Sequence, residues 1–105
     1  MLTDEQITRL KANWGDRVTS LACMAEVRVH DPRSSWQVFL LAINPDDMDE
    51  IACIFDGFTV EVDTWRLSDL MNTYNGDGEP PIVDLEFRPR RAAELFKKLN
   101  EKGVV

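Results

Sequence analysis

Four carboxylates, Asp46, Asp47, Asp49 and Glu50, crowd the middle of the stretch INPDDMDEIACIFDGF. Residues of this type can hold calcium, attract a basic partner, or simply solvate a turn. A calcium-binding helix–loop–helix needs oxygen ligands at positions 1, 3 and 5, glycine at 6 and glutamate at 12. Counted from Asp47, the frame puts Ile51 at 5, Ala52 at 6 and Phe58 at 12, so it fails. Counted from Asn75, it places Asp77, Glu79 and Glu86 correctly, but Pro80 stands where glycine must allow the sharp turn. Asn44 and Pro45 precede the acids, and NPDD is good turn chemistry, so a solvated connection between strands is the plainer reading.

Other chemistries are equally short of partners. Zinc takes about four ligands, whereas the soft donors are Cys23, Cys53 and His30. Cys23 and His30 are seven residues apart on one expected strand and so face opposite ways, which also separates them as a nucleophile and its base. Ser34 and Ser35 have no sequence signal for an oriented base or an oxyanion hole. Glu61 and Asp63 share a strand face and could do acid–base work, although outward polar residues are ordinary on a half-exposed sheet. NGDGEPP is acidic where a phosphate cradle needs amides and bases. No catalytic residue, metal or cofactor is assigned, and a non-enzymatic protein is expected, with a cryptic small enzyme as an alternative.

Charge is distributed more tellingly than its sum of −7 suggests. Residues 1–30 balance, residues 31–87 carry thirteen acids against Arg33 and Arg66, and residues 88–105 carry six bases against Glu94 and Glu101. An acidic body repels nucleic acid and steers basic partners towards itself. The basic end offers a nucleic-acid alternative through Arg88, Arg90, Arg91, Lys97 and Lys98, with Lys102 beyond them, though Glu94 stands at helical spacing to pair with its neighbours. Trp65 falls on the same strand face as Glu61 and Asp63 if the alternation from Phe58 holds. It is then a protein-binding anchor, unless a bulge turns it inward.

The elements that position these residues follow from pattern. A chain of 105 residues, 44% hydrophobic and 30% charged, fits one domain with a modest core. LTDEQITRLKAN reads as a helix capped by Thr3, with Gln6 completing a capping box. ACMAEVRVH alternates as a strand, and WQVFLLAIN is apolar on both sides, with Trp36, Val38, Leu40 and Ala42 opposite Phe39, Leu41 and Ile43. ACIF, a DG turn at Asp56 and Gly57, and FTVEVDTW with Phe58, Val60 and Val62 inward then complete an antiparallel meander. Ser68 is placed to cap a short helix, SDLMNTY. IVDLEF is a fifth strand with Val83, Leu85 and Phe87 on one face. Pro89 can start a last helix whose stripe is Ala92, Leu95, Phe96 and Leu99, ending at Gly103. The expected fold is α+β: about five mainly antiparallel strands (a meander plus one), with N-terminal, short middle and C-terminal helices packed on them. No apolar run approaches the roughly 18–20 residues of a membrane span and MLTDEQITRL lacks signal-peptide character, so a cytoplasmic protein with no membrane partner and no structural disulfide is expected.

The N-terminal LTDEQ, the DP turn and tryptophan-led strand of DPRSSWQVFLLAINPDD, the helix-capping LSDL and the late VDLEFRP together resemble an uncharacterised bacterial domain family. That family is carried on plasmids, integrative elements and phages. ACIFDGF stands where it usually shows a glycine-rich GLCDLG segment. The resemblance covers nearly the whole chain and implies a genetic setting without a mechanism. Taken with the charge pattern, it leads to an acidic protein-binding accessory protein that modulates a host nucleic-acid-handling or defence system. The expected partner-binding residues are Asp46, Asp47, Asp49, Glu50, Glu61, Asp63 and Trp65. The expected partner is a protein with a basic surface, a second copy of the chain being a further candidate and nucleic acid disfavoured.

Overall fold

The computed structural model describes residues 2–103, with side chains through Glu101. Helix α1 spans Asp4–Asn13, and its capping box forms as expected: the Gln6 amide donates to the Thr3 hydroxyl at 3.1 Å, and the Thr3 amide donates to the Gln6 side chain at 2.8 Å. A single-turn helix α2, Asp16–Thr19, follows. The strands are β1 (Met24–Ala25), β2 (Val27–His30), β3 (Gln37–Asn44), β4 (Asp47–Asp56) and β5 (Val60–Arg66); then come helix α3 (Leu67–Met71), β6 (Ile82–Val83), β7 (Arg90–Arg91) and helix α4 (Ala92–Gly103).

Five strands form one sheet in the order β5-β4-β3-β2-β6, antiparallel at every pairing, while β1 and β7 pair separately. The two-sided apolar strand β3 is central and covered on both faces. One layer, against α1 and α3, holds Leu10, Val38, Leu40, Ile51, Cys53 and Leu70. The other, against α4, holds Ala25, Phe39, Leu41, Ile54, Ala92 and Leu95, with Phe96 and Leu99 alongside, so the α4 stripe docks as its spacing predicts.

Two irregularities redirect side chains that simple alternation would misplace. The pairing of β3 with β4 slips at Leu41, so one extra residue enters β3 and Ile43 joins Leu40's layer. The neighbouring segment breaks at Glu26: Ala25 faces the α4 layer, whereas Val27 and Val29 face α1. The expected single strand ACMAEVRVH is therefore two strands in two sheets. Side chains from α1 satisfy the polar groups this leaves. Asn13 donates to the Leu41 carbonyl at 3.0 Å and to Glu26 at 3.2 Å, and Arg9 Nε donates to Glu26 at 3.1 Å. Glu26 is only 6% exposed, and these partners make its burial tolerable.

Three other local expectations shift. The β4–β5 loop is Gly57–Thr59, closed by the paired Asp56 and Val60, which leaves Phe58 fully exposed rather than inward. The fifth strand is only Ile82–Val83, because Asp84 starts a turn by accepting the Glu86 amide at 2.9 Å. Leu85 consequently points to solvent, and Val83 and Phe87 serve opposite layers. Ser68 lies inside α3 rather than capping it, with its amide and hydroxyl both turned to Asp49.

Candidate functional site

The acidic stretch is a bulged strand start rather than a free loop. Only Pro45 and Asp46 form the turn between paired Asn44 and Asp47, and three residues of β4 then bulge before Ile51 pairs with Ile43. The bulge aims Asp49 at the start of α3. Its carboxylate accepts from the Ser68 hydroxyl at 2.7 Å, the Ser68 amide at 2.8 Å and Arg66 Nε at 3.0 Å. The Ser68 hydroxyl and amide, with Arg66 behind them, hold the Asp49 carboxyl below the usual range. Asp47 lies 3.7 Å from Arg66, and Glu50 accepts from the Asn44 side chain at 3.0 Å. Asp46 uses its amide, at 2.9 Å from the Asn44 side-chain oxygen, and leaves its carboxylate exposed. Arg66, across the hairpin on β5, is thus the base that answers this cluster, and α4 packs on the opposite face of the sheet. Asp49 is a helix-anchoring residue and not a free lure.

Strand β5 keeps its alternation, so Trp65, Asp63 and Glu61 share a face, in register with Ile51, Cys53 and Phe55. That face belongs to the α1/α3 layer. Trp65 is half-buried at its edge, stacked on Phe55 with ring centres 5.1 Å apart and planes 19° apart; Phe55 in turn stacks on Trp36 at 6.4 Å. Gly57 makes the ladder possible, since a Cβ there would overlap the Phe55 ring. Asp63 locks the third ring by accepting the indole N–H at 3.3 Å, and it also takes the Thr64 amide at 2.7 Å. A carboxylate on the amide of an edge strand discourages further strand addition. Trp65, with Glu50, Thr64, Arg66 and Asp69, lines an open hollow of about 490 Å³. Val60 is half-buried against the α4 layer, and Val62 is more exposed than expected.

A second concavity was not anticipated. An apolar groove of about 640 Å³ opens at the end of the same layer, lined chiefly by Leu2, Ile7, Met48, Leu67, Met71 and Pro80. The NGDGEPP loop builds one wall. Asn75 organises it by accepting the Asp77 and Glu79 amides at 2.9 and 3.0 Å, and donates to Asp31 at 3.0 Å; Arg33 reaches Asp77 and Glu79, each at 3.3 Å. Two methionines and two prolines outside any periodic stripe were the sequence signal available for this groove.

The basic candidates lie elsewhere. Arg90 and Arg91 form β7 against β1, and Arg88, Lys97 and Lys98 are exposed around α4; Lys102's side chain lies outside the described residues. The expected pairing of Glu94 with these bases does not occur among the ion pairs of the described residues. Cys23 and Cys53 are free thiols serving opposite faces of the sheet. Burial, then the charge of Asp63, pushes the Cys53 thiol up to about 12, and burial with Glu26 raises Cys23, so neither is activated as a nucleophile. His30 ends β2 between Gln37 and Ile82, as a strand-end residue. Among the described residues no group of three or more histidine, cysteine or carboxylate side chains could hold a metal ion, and no helix is long and apolar enough to cross a membrane. Comparison with family models, curated proteins and solved structures finds no match for this chain.

Proposed function

We propose that this chain is a protein-binding accessory module, acting in the cytoplasm, whose binding face is the Trp65 side of the sheet. The observation that carries the reading is the state of Trp65. It is half-buried, stacked on Phe55 and bonded to Asp63, so a partner meets an aromatic ring whose freedom has already been lost. Around it, Glu61 and Asp69 are exposed carboxylates without a cation partner among the ion pairs of the described residues. A basic protein surface therefore complements the site in sign. A groove evolved to hold nucleic acid is such a surface, which supports modulation of a nucleic-acid-handling or defence machine by an element-borne protein. Among the seven expected partner-binding residues, Glu61, Trp65 and Asp46 are the contact residues, while Asp47, Asp49, Glu50 and Asp63 hold the face in shape.

A second reading has its own observation: Arg88, Arg90, Arg91, Lys97 and Lys98 remain exposed on the opposite side, which suits phosphate contacts. One experiment separates the two. The chain is immobilised and challenged with a bacterial lysate, with and without nuclease, alongside Trp65→Ala and Arg90→Ser/Arg91→Ser variants. The protein-binding reading expects a basic protein retained through nuclease treatment and lost with Trp65→Ala. Retention of nucleic acid that disappears with the arginine pair would replace it with the second reading.

A further inference from the structure

We propose that the apolar groove beside α1 and α3 is the docking site for a short amphipathic segment of a partner protein, apolar on one face and flanked by lysine or arginine. This rests on the protein-binding reading above and adds to the Trp65 face a second surface, at the end of the same layer, with the chemistry of the segment that fills it. The groove, about 640 Å³, is the open end of the α1/α3 layer, where Leu2, Ile7, Leu67 and Met71 are only partly buried and Met48 is 43% exposed. Its size suits a few inserted side chains. Two methionines in its walls give it a surface that can adjust to unlike apolar shapes.

Charge selects the occupant. Among the described residues the one charged side chain in the lining is Asp49, and further acids neighbour the lining residues along the chain: Asp4 and Glu5 on α1, Asp46 and Asp47 before Met48, and Glu79 before Pro80. Arginine answers some of them, through Arg9 to Glu5, Arg66 to Asp47 and Asp49, and Arg33 to Glu79. Asp4 and Asp46 have no cation partner among the ion pairs of the described residues and are exposed. A neutral acyl chain would satisfy the groove and leave these carboxylates unused. An acidic peptide would be repelled, whereas an amphipathic basic segment, laid as a helix or strand along the groove, satisfies both.

The test uses the full chain with its methionine methyl groups labelled for NMR, titrated with a synthetic leucine–lysine amphipathic peptide at low salt. Controls are a leucine–glutamate peptide, a serine–lysine peptide and octanol as a neutral alkyl chain. The expected result is saturable shifts at Met48 and Met71 with Met24, on the β1–β7 side, unmoved. Met71→Glu should weaken binding about tenfold or more by placing charge in the apolar floor. Met48→Glu, at an exposed position, gives the same readout if Met71→Glu fails to fold. Asp4→Asn with Asp46→Asn should weaken binding about fivefold, the loss of two partly screened ion pairs. Equal binding of the leucine–glutamate or serine–lysine peptide, saturation by octanol at lower concentration, or shifts that follow dilution of the chain alone would each overturn the proposal. Peptide affinity that falls with Trp65→Ala but is unchanged by both methionine variants would overturn the groove as the site while leaving the Trp65 reading intact.

Discussion

Replacing Phe55 with leucine removes the middle ring of the Trp36–Phe55–Trp65 ladder and keeps an apolar side chain in its place. Phe55 makes two stacked contacts, at 6.4 Å with Trp36 and 5.1 Å with Trp65. Each such pair contributes about 0.5–1.5 kcal/mol beyond burial, so Phe55→Leu should cost about 1–3 kcal/mol. In a domain of this size that is a fall in Tm of about 4–8 °C for each kcal/mol. The sharper quantity is the coupling between Phe55 and Trp65, from a double-mutant cycle of Phe55→Leu and Trp65→Leu followed by urea unfolding and far-UV circular dichroism. The stack predicts a coupling of about 0.5–1.5 kcal/mol. Gly57→Ala, which removes no ring but displaces Phe55, should lower the near-UV aromatic signal in the same direction. A coupling within the roughly 0.3–0.5 kcal/mol scatter of independent sites would refute the claim that Phe55 holds Trp65 in place.

Other expectations test the supports of this face. Glu26→Ala strips charge-assisted bonds from Arg9 and Asn13 at the β-sheet irregularity and should destabilise by about 1.5–3 kcal/mol in urea melts, with Glu26→Gln milder. Asp31, Asp49 and Asp84 have lowered carboxyl pKa values, held down chiefly by the Arg33 amide, the Ser68 hydroxyl and the Glu86 amide respectively. Their unfolded counterparts bind protons first, so the stability they give is present above about pH 4 and is lost as pH falls through the lower folded values. Tm measured from about pH 5 down to about pH 2 should fall, and less steeply in Asp31→Asn or Asp84→Asn. Cys53, with its thiol pushed up to about 12, should resist alkylation at about pH 8 in the folded chain and react once urea opens it; equal reactivity in both states would contradict its burial.

How much of this was legible depends on the range of the interactions involved. The Thr3–Gln6 box and the Ala92, Leu95, Phe96, Leu99 stripe are local patterns, and both form as read. So do the meander and the central place of β3, because a run apolar on both sides has to be covered on both sides. The Leu41 bulge escaped for the same reason: where both faces are apolar, a slip of one residue changes no hydropathy. The Glu26 break hides inside an unbroken alternation, and only Arg9 and Asn13, on another element, make it tolerable. Ser68 looked like a cap, whereas its partner is Asp49, nineteen residues away, through contacts that local pattern does not encode. For the candidate site, the shared face of Glu61, Asp63 and Trp65 was readable from alternation, but which layer that face belongs to depended on the order of strands. The division of the acids into Asp49 and Asp63, already engaged, and Glu61 and Asp46, exposed, required the fold itself.

The most direct test of the binding face is hydrogen–deuterium exchange of the chain with and without its captured partner. Slowed exchange over residues 46–50 and 60–72, with α4 and residues 88–91 unchanged, is the predicted footprint. Protection centred on α4 and Arg88 to Arg91, with β5 and α3 unaltered, would contradict it.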